Sequence, residues 1–473
     1  MPSGSLPEAQ SRWEMQCAVH WLGLALGVLA LAGLFSLLVV VGRMPPFDRL
    51  VTDPLFFKRG LVVHVNLALV AWFYSFVAAL LFLLPGRLAP SRLSRHAVHI
   101  SALGIAMMLL AAAMPGSQPV LANYIPVIDH WLFVVGQILF AAGVLASFVG
   151  RRLLTGSTAR KGFFQIPAAA QMGLRSTAVA LVLAALTFAI TSQRITPDLS
   201  VEAYYELLFW GGGHVLQLCC SIAMVSVWLI LLDSAVGRCP LSERTAAILF
   251  GAMILPWLAS PVLAMLGTWS PGYRDGFTSL MRWAIFPVLS LFLLACVRML
   301  LVELRAGRIG LSSLADPRIS GFLVSALLTL LGVALGAGIR GSNTMIPAHY
   351  HASIGGITAA FMTVTYLMLR AFGFSIPTRR LRRAAAWQPV TYGIGQMIFA
   401  GGFALAGIYG MSRKAYGAEQ AGRGLGESVG LCVMGIGGLI AIIGGLLFLG
   451  VVAMIWRQGS ESRIRTLKPV TEA

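Results

Sequence analysis

Unbroken apolar runs alternate with short polar or basic connectors along the whole chain. Twelve runs fall near 18–42, 60–85, 98–115, 125–150, 172–193, 204–233, 244–268, 278–302, 318–340, 346–372, 389–411 and 428–456. Each is long enough to cross about 30 Å of hydrocarbon as a helix. The runs do not alternate apolar with polar at every second residue, which argues against lipid-facing barrel strands. No connector is long enough to fold as a unit of its own. The pattern predicts an all-α polytopic membrane protein of twelve transmembrane helices, one membrane domain over 1–473. Residues 1–17 are expected as a short N-terminal segment and 457–473 as a short C-terminal tail.

Composition agrees. Of 473 residues, 58% are hydrophobic and 11% charged, against about 25% charged in soluble domains. Net charge is +18, and its distribution sets the topology. With both termini on the cytoplasmic side, 24 of the 35 Lys and Arg residues fall in cytoplasmic segments, as the positive-inside bias requires. These include Arg87, Arg92 and Arg95, the cluster from Arg151 to Lys161, and Arg379, Arg380, Arg382 and Arg383. Anionic lipid accounts for such loops without nucleic acid. No cleavable signal peptide is expected, because Glu8, Arg12 and Glu14 precede a long first span. The six cysteines form neither CxxC nor CxxCH, so no zinc ribbon, covalent c-type haem or disulfide framework is expected.

The candidate chemistry is in the histidines. The stretch Ile346-Pro-Ala-His349-Tyr350-His351 opens the tenth run. Residues two apart on a helix are separated by about 200°, so the two imidazoles suit two flat ligands on opposite sides better than one shared ion. The alternative is a pair of helix-end histidines solvated at the interface. With the N-terminus inside, runs two, six and ten all enter from outside, and each carries histidine in its outer half: His64, His214, and His349 with His351. Each could be satisfied by a backbone carbonyl, yet four at one depth point to a site, since ionisable groups in hydrocarbon are costly.

These residues resemble subunit I of the haem-copper oxidase superfamily, which includes cytochrome c oxidases and nitric oxide reductases. Gly60-Leu-Val-Val-His64-Val-Asn-Leu, running to Phe82-Leu-Leu-Pro85, is similar to the family's second helix. Ala348-His349-Tyr350-His351 is similar to its tenth, and Trp210-Gly-Gly-Gly-His214 stands at its sixth-helix copper ligand. The resemblance implies that His64 and His351 hold a low-spin haem and that His349 holds a high-spin haem. Tyr392-Gly-Ile-Gly-Gln-Met, followed by Ser412-Arg413-Lys414-Ala415-Tyr416, resembles the eleventh helix and its basic loop. There Arg413 and Lys414 are implied to pair with haem propionates, with Arg340 a weaker candidate.

The chain departs from the family at the copper. Its consecutive histidine pair after the seventh helix falls on Met265 and Leu266, and the tyrosine four residues beyond the sixth-helix histidine falls on Leu218. His214 is left as a residual ligand for copper or non-haem metal, with Met265, Tyr205 and Glu206 as possible helpers. Candidate catalytic residues are therefore His214 and His349, with two haems and a doubtful copper as cofactors. The implied activity is a cytochrome c or quinol oxidase-like reaction, with oxygen reduced in aerobic respiration. The electron donor would be a cytochrome c-type subunit or a quinol, and the setting a bacterial inner membrane. Two rivals stay open: a nitric oxide reductase-like enzyme, and a non-catalytic two-haem electron relay or gas sensor. A secondary transporter fits the span count but leaves the histidines unexplained. The hydroxyls Ser320, Ser325, Thr329, Thr358, Thr363, Thr365 and Tyr366 serve equally as proton relays or helix contacts.

Overall fold

The computed structural model describes residues 6–50, 53–84, 92–148, 164–196, 198–374, 376, 378–416 and 422–467, without side-chain detail for 6–12, 311 and 458–467. Pro85, Arg87, Arg151, Arg152, Arg160, Lys161 and Lys468 lie outside the described residues. So do the ends of the predicted terminal segments, 1–5 and 468–473.

Among the described residues twelve helical rods follow in order: α1 (Leu6–Val41), α2 (Pro54–Leu83), α3 (Arg92–Ala113), α4 (Trp131–Ala146), α5 (Ala168–Arg194), α6 (Val201–Val236), α7 (Glu243–Met265), α8 (Pro271–Arg305), α9 (Pro317–Ala337), α10 (Met345–Ala371), α11 (Arg379–Ile408) and α12 (Leu425–Leu467). Among the described residues, eleven are long and apolar enough to cross a membrane, while α4 has sixteen residues. The chain is an integral membrane protein.

Local chemistry explains the ends. Asp53, with Pro54 following, caps α2 by accepting from Leu55 N at 2.9 Å. Ser200 caps α6, Ser242 caps α7, Ser270 caps α8, Asp316 caps α9 and Thr378 caps α11 in the same way. Each satisfies a first-turn N–H that has no intrahelical partner. The α6 helix stops at Gly237, which takes φ +82°, a left-handed conformation that costs glycine little.

The structure differs from the sequence expectation in three places. The fourth predicted run begins not as helix but as the hairpin β1 (Gln118–Val120) and β2 (Val127–Asp129), paired antiparallel. Pro119 and Pro126 disfavour continued helix there. The described parts of the predicted tails are helical, because α1 starts at Leu6 and α12 runs to Leu467; α-helices extend beyond hydrocarbon when polar helix formers follow. Finally, α2 contains a π turn at Asn66–Ala71. The Asn66 amide donates to Val62 O at 2.9 Å and to Pro126 O at 2.7 Å, and accepts from Gln137 at 3.0 Å. A side chain bonded to its own helix and to the hairpin stands at the start of this turn, two residues from His64.

Burial ranks the helices. Within the most apolar window, 89% of α6, 83% of α10 and 78% of α2 is buried, against 56% or less for every other crossing helix. The three innermost helices are the three that carry His214, the His349–His351 pair and His64. At one end of the bundle, the buried Glu303 carboxylate takes Arg308 Nε at 2.5 Å and also pairs with Arg238. That joins the ends of α6 and α8.

Candidate functional site

His64 points its Nδ1 at Ala32 O of α1, 3.0 Å away. A carbonyl only accepts, so Nδ1 carries the proton and Nε2 keeps a free lone pair. His349 does the same toward Gly332 O of α9 at 2.6 Å. A Cβ added at Gly336, one turn on, would lie 2.7 Å from the His349 ring, so glycine there makes the space for the imidazole. An imidazole anchored by Nδ1–H to a carbonyl, with Nε2 presented, has the posture of a metal-ligating histidine.

His351 leaves α10 on the other flank. Its ring lies between Phe399 (4.7 Å, edge-on) and Phe403 (5.8 Å, stacked) of α11. It lies within electrostatic reach of His64 and Arg43. The rings of His349 and His351 thus diverge to α9 and α11, as their spacing requires.

Beside His351 is a cavity of about 30 Å³ lined by Val39, Arg43, Leu61, Tyr350 and Tyr416, among others. Arg43 is 4% exposed. Its guanidinium sits over the rings of Tyr416 (4.3 Å) and Phe403 (5.2 Å) and donates to Arg413 O at 2.8 Å. Its Nε is buried and has no hydrogen-bond partner among the described residues. In the sequence Arg43 is one outside cation among several; only its position after the first run sets it apart.

The basic loop lies over this region. Arg413 donates to Asn123 Oδ1, and Asn123 gives its N–H (2.8 Å) and its side-chain amide to Glu206. Lys414 is exposed, and Arg340 donates to Ala337 O at the end of its own helix, 3.0 Å away. Tyr205 donates to Asp129 at 3.1 Å. Tyr205 and Glu206 therefore face the hairpin loop, not His214.

His214 is 1% exposed and fully bonded. Its Nδ1 donates to Trp210 O at 2.7 Å, and its Nε2 accepts from the hydroxyl of Tyr124 at 2.7 Å. Tyr124, in the β1–β2 loop, was not singled out by the sequence, since nothing in it places that loop over α6. Burial, then the nearby Glu206 carboxylate, pushes its phenol well above the ordinary range, so it stays a donor. The three glycines of the motif each admit an aromatic ring: a Cβ on Gly211 would meet Phe277 and Tyr273, on Gly212 Phe188, and on Gly213 Tyr124. Met265 and Leu266 are 49% and 54% exposed. Among the described residues no group of three or more His, Cys, Asp or Glu gathers to hold a metal ion.

Three hydroxyls of α9 and α10 are hydrogen-bonded to helix groups. Ser325 receives Trp228 Nε1 at 2.7 Å and donates to Gly356 O at 2.7 Å, while Thr363 and Thr365 bond one turn back.

With this geometry in hand, comparison with solved structures is decisive for the architecture. The chain superposes on a heme-copper terminal oxidase, studied as a dimer by cryo-electron microscopy, with a TM-score of 0.70 over 98% of this chain and 85% of that one, at 15% identity. The chain has the haem-copper oxidase fold. No protein-family model matches it. Among sequence relatives, an uncharacterised protein of Rickettsia prowazekii is 27% identical over 490 aligned residues, covering 90% of this chain and 93% of that protein. An uncharacterised protein of Aquifex aeolicus is 29% identical, covering 75% and 85%. Within that fold the three most buried crossing helices of this chain are α2, α6 and α10, and all four histidines discussed above lie on them.

Proposed function

We propose that this chain is a haem-binding membrane oxidoreductase of the oxidase type. In this reading His64 and His351 hold a low-spin haem, and His349 holds a high-spin haem that meets oxygen in a respiratory chain. The observation that carries it is the shared posture of His64 and His349, each fixed through Nδ1–H to a neighbouring helix with the Nε2 lone pair presented. Two further features suit haem: the glycine cradle around His349, and the unpartnered Arg43 Nε beside His351. A buried guanidinium with a spare donor suits a carboxylate or carbonyl at a porphyrin edge. Arg413 and Lys414 supply further positive charge for propionates at the outer face. Haem, when bound, supplies the one-electron redox chemistry and an open coordination position. The residues of the chain ligate it, neutralise its carboxylates and keep water from its faces. Electrons come from a cytochrome c-type subunit or a quinol, because the sequence carries no c-haem attachment motif of its own. A bacterial inner membrane, with both termini cytoplasmic, fits the charge bias.

The implied copper fits poorly. One fully bonded imidazole, in no group of three or more His, Cys, Asp or Glu among the described residues, is a weak site for a metal that favours several nitrogen ligands. This favours a second reading, a two-haem electron relay or gas sensor without turnover.

The test is haem stoichiometry and reduced-minus-oxidised spectra of purified protein. Two haems per chain are expected, one with sharp bis-imidazole bands and one that shifts with carbon monoxide. His64→Ala and His351→Ala should remove the first signature and His349→Ala the second. A His349→Ala protein that keeps both haems and binds carbon monoxide normally would overturn the assignment. Oxygen uptake with a reduced donor then supports the oxidase, nitric oxide uptake a reductase, and neither activity the relay.

A further inference from the structure

We propose that Tyr124 is the positioning residue of His214, and that their hydrogen-bonded pair stands where the oxidase fold implies copper or non-haem iron. The inference goes beyond the haem assignment, since non-haem metal and haem are counted separately. It begins with the donor set. Among the described residues His214 belongs to no group of three or more His, Cys, Asp or Glu, Met265 and Leu266 are half exposed, and the carboxylate of Glu206 is taken up by Asn123. Both nitrogens of His214 are occupied. A cation at Nδ1 displaces the Trp210 carbonyl, and one at Nε2 displaces the Tyr124 hydroxyl.

The pairing is built, as four independent features of the loop indicate. Tyr124 has φ +65° and is the one non-glycine residue with positive φ among those described. Such a backbone persists only where its surroundings hold it. Asn123, the residue before it, is held from two sides by Glu206 and Arg413. Pro126, two residues on, is held by the Asn66 amide from α2 at 2.7 Å. The ring itself fills the space left by Gly213 and lies 4.5 Å from the imidazole of His214, with Trp210 at 5.0 Å and Phe277 at 6.0 Å completing the box. The result is one fixed tautomer of His214, with Nδ1 protonated and Nε2 accepting, and no free face for a cation.

The test uses the full chain purified from copper-supplemented cells. Elemental analysis should find no copper, and no iron beyond the haem count. Ultraviolet resonance Raman should show a hydrogen-bond-donating tyrosine band that is lost in Tyr124→Phe and shifted in His214→Phe. Added Cu(II), followed by electron paramagnetic resonance, should bind Tyr124→Phe roughly tenfold more tightly than the parent, since one competing hydrogen bond has been removed. That gain should vanish in the double variant. About one non-haem metal per chain in the parent protein overturns the proposal. So does a tyrosine spectrum that Tyr124→Phe leaves unchanged. Both readings hold even where His214→Phe fails to fold, because one uses the parent and the other the conservative variant.

Discussion

Gly213 and Gly336 do the same work at two imidazoles, since each is the space that another side chain occupies. Tyr124 fills the first and the His349 ring the second. Adding one methyl group to a packed site of this kind costs about 1–3 kcal/mol. Gly213→Ala is therefore expected to lower the thermal midpoint in detergent and to weaken the Tyr124 Raman signature. Gly336→Ala should spare that signature and instead reduce the carbon monoxide-binding haem. If both variants alter the two readouts alike, the sites are not separately built. Arg43 makes the other residue-scale prediction. Its buried Nε wants an acceptor, so Arg43→Ala should lower low-spin haem retention and shift its midpoint potential. Arg43→Lys, which keeps charge but not the planar fork, should recover only part of both. Unchanged haem content and potential in Arg43→Ala would remove the residue from the site. The histidines were legible because imidazole is rare and costly in hydrocarbon. Arg43 and Tyr124 were not, because an arginine at a helix end and a tyrosine in a loop are ordinary until something is packed on them.

At the scale of elements, the π turn of α2 joins His64 to the hairpin. Asn66 is 2% exposed and makes three hydrogen bonds, one of them to Pro126 in the loop that carries Tyr124. Asn66→Leu leaves the Pro126 carbonyl and the Gln137 amide without partners, at roughly 1–3 kcal/mol each when buried. The variant is expected to be less stable and to disturb two signals together, the low-spin haem spectrum and the Tyr124 band. A disturbance of only one would mean that the hairpin and α2 are not coupled through Asn66. The hairpin was hidden in the sequence by its apolar content, since Val120, Ile125, Val127 and Ile128 read as the start of a span. Helix ends were better marked, as Asp53-Pro54 and Asp316-Pro317 are capping pairs visible in the chain itself. The π turn had no such mark, because it depends on Pro126 and Gln137, sixty and seventy-one residues away.

For the whole molecule, loops on one side form a connected polar layer. Arg43 bonds Arg413, Arg413 bonds Asn123, Asn123 bonds Glu206, and Arg423 pairs with Asp48. By the positive-inside expectation that layer would lie outside and the Glu303–Arg238–Arg308 cluster inside. In a background lacking the six native cysteines, Lys414→Cys should react with an impermeant maleimide in intact cells, and Arg244→Cys only after permeabilisation. The reverse pattern would invert the topology. What the sequence determined alone follows from local rules: helix number from run length, and the divergence of His349 and His351 from the helical repeat. Each depends only on residues near one another in the chain. What only the tertiary structure decided is who meets whom. It sends Nδ1 of His64 to α1 and Nδ1 of His349 to α9, and brings a loop tyrosine onto His214 from ninety residues away. Those contacts arise from the packing of buried helices, and no local pattern encodes a neighbour that the chain reaches only by folding.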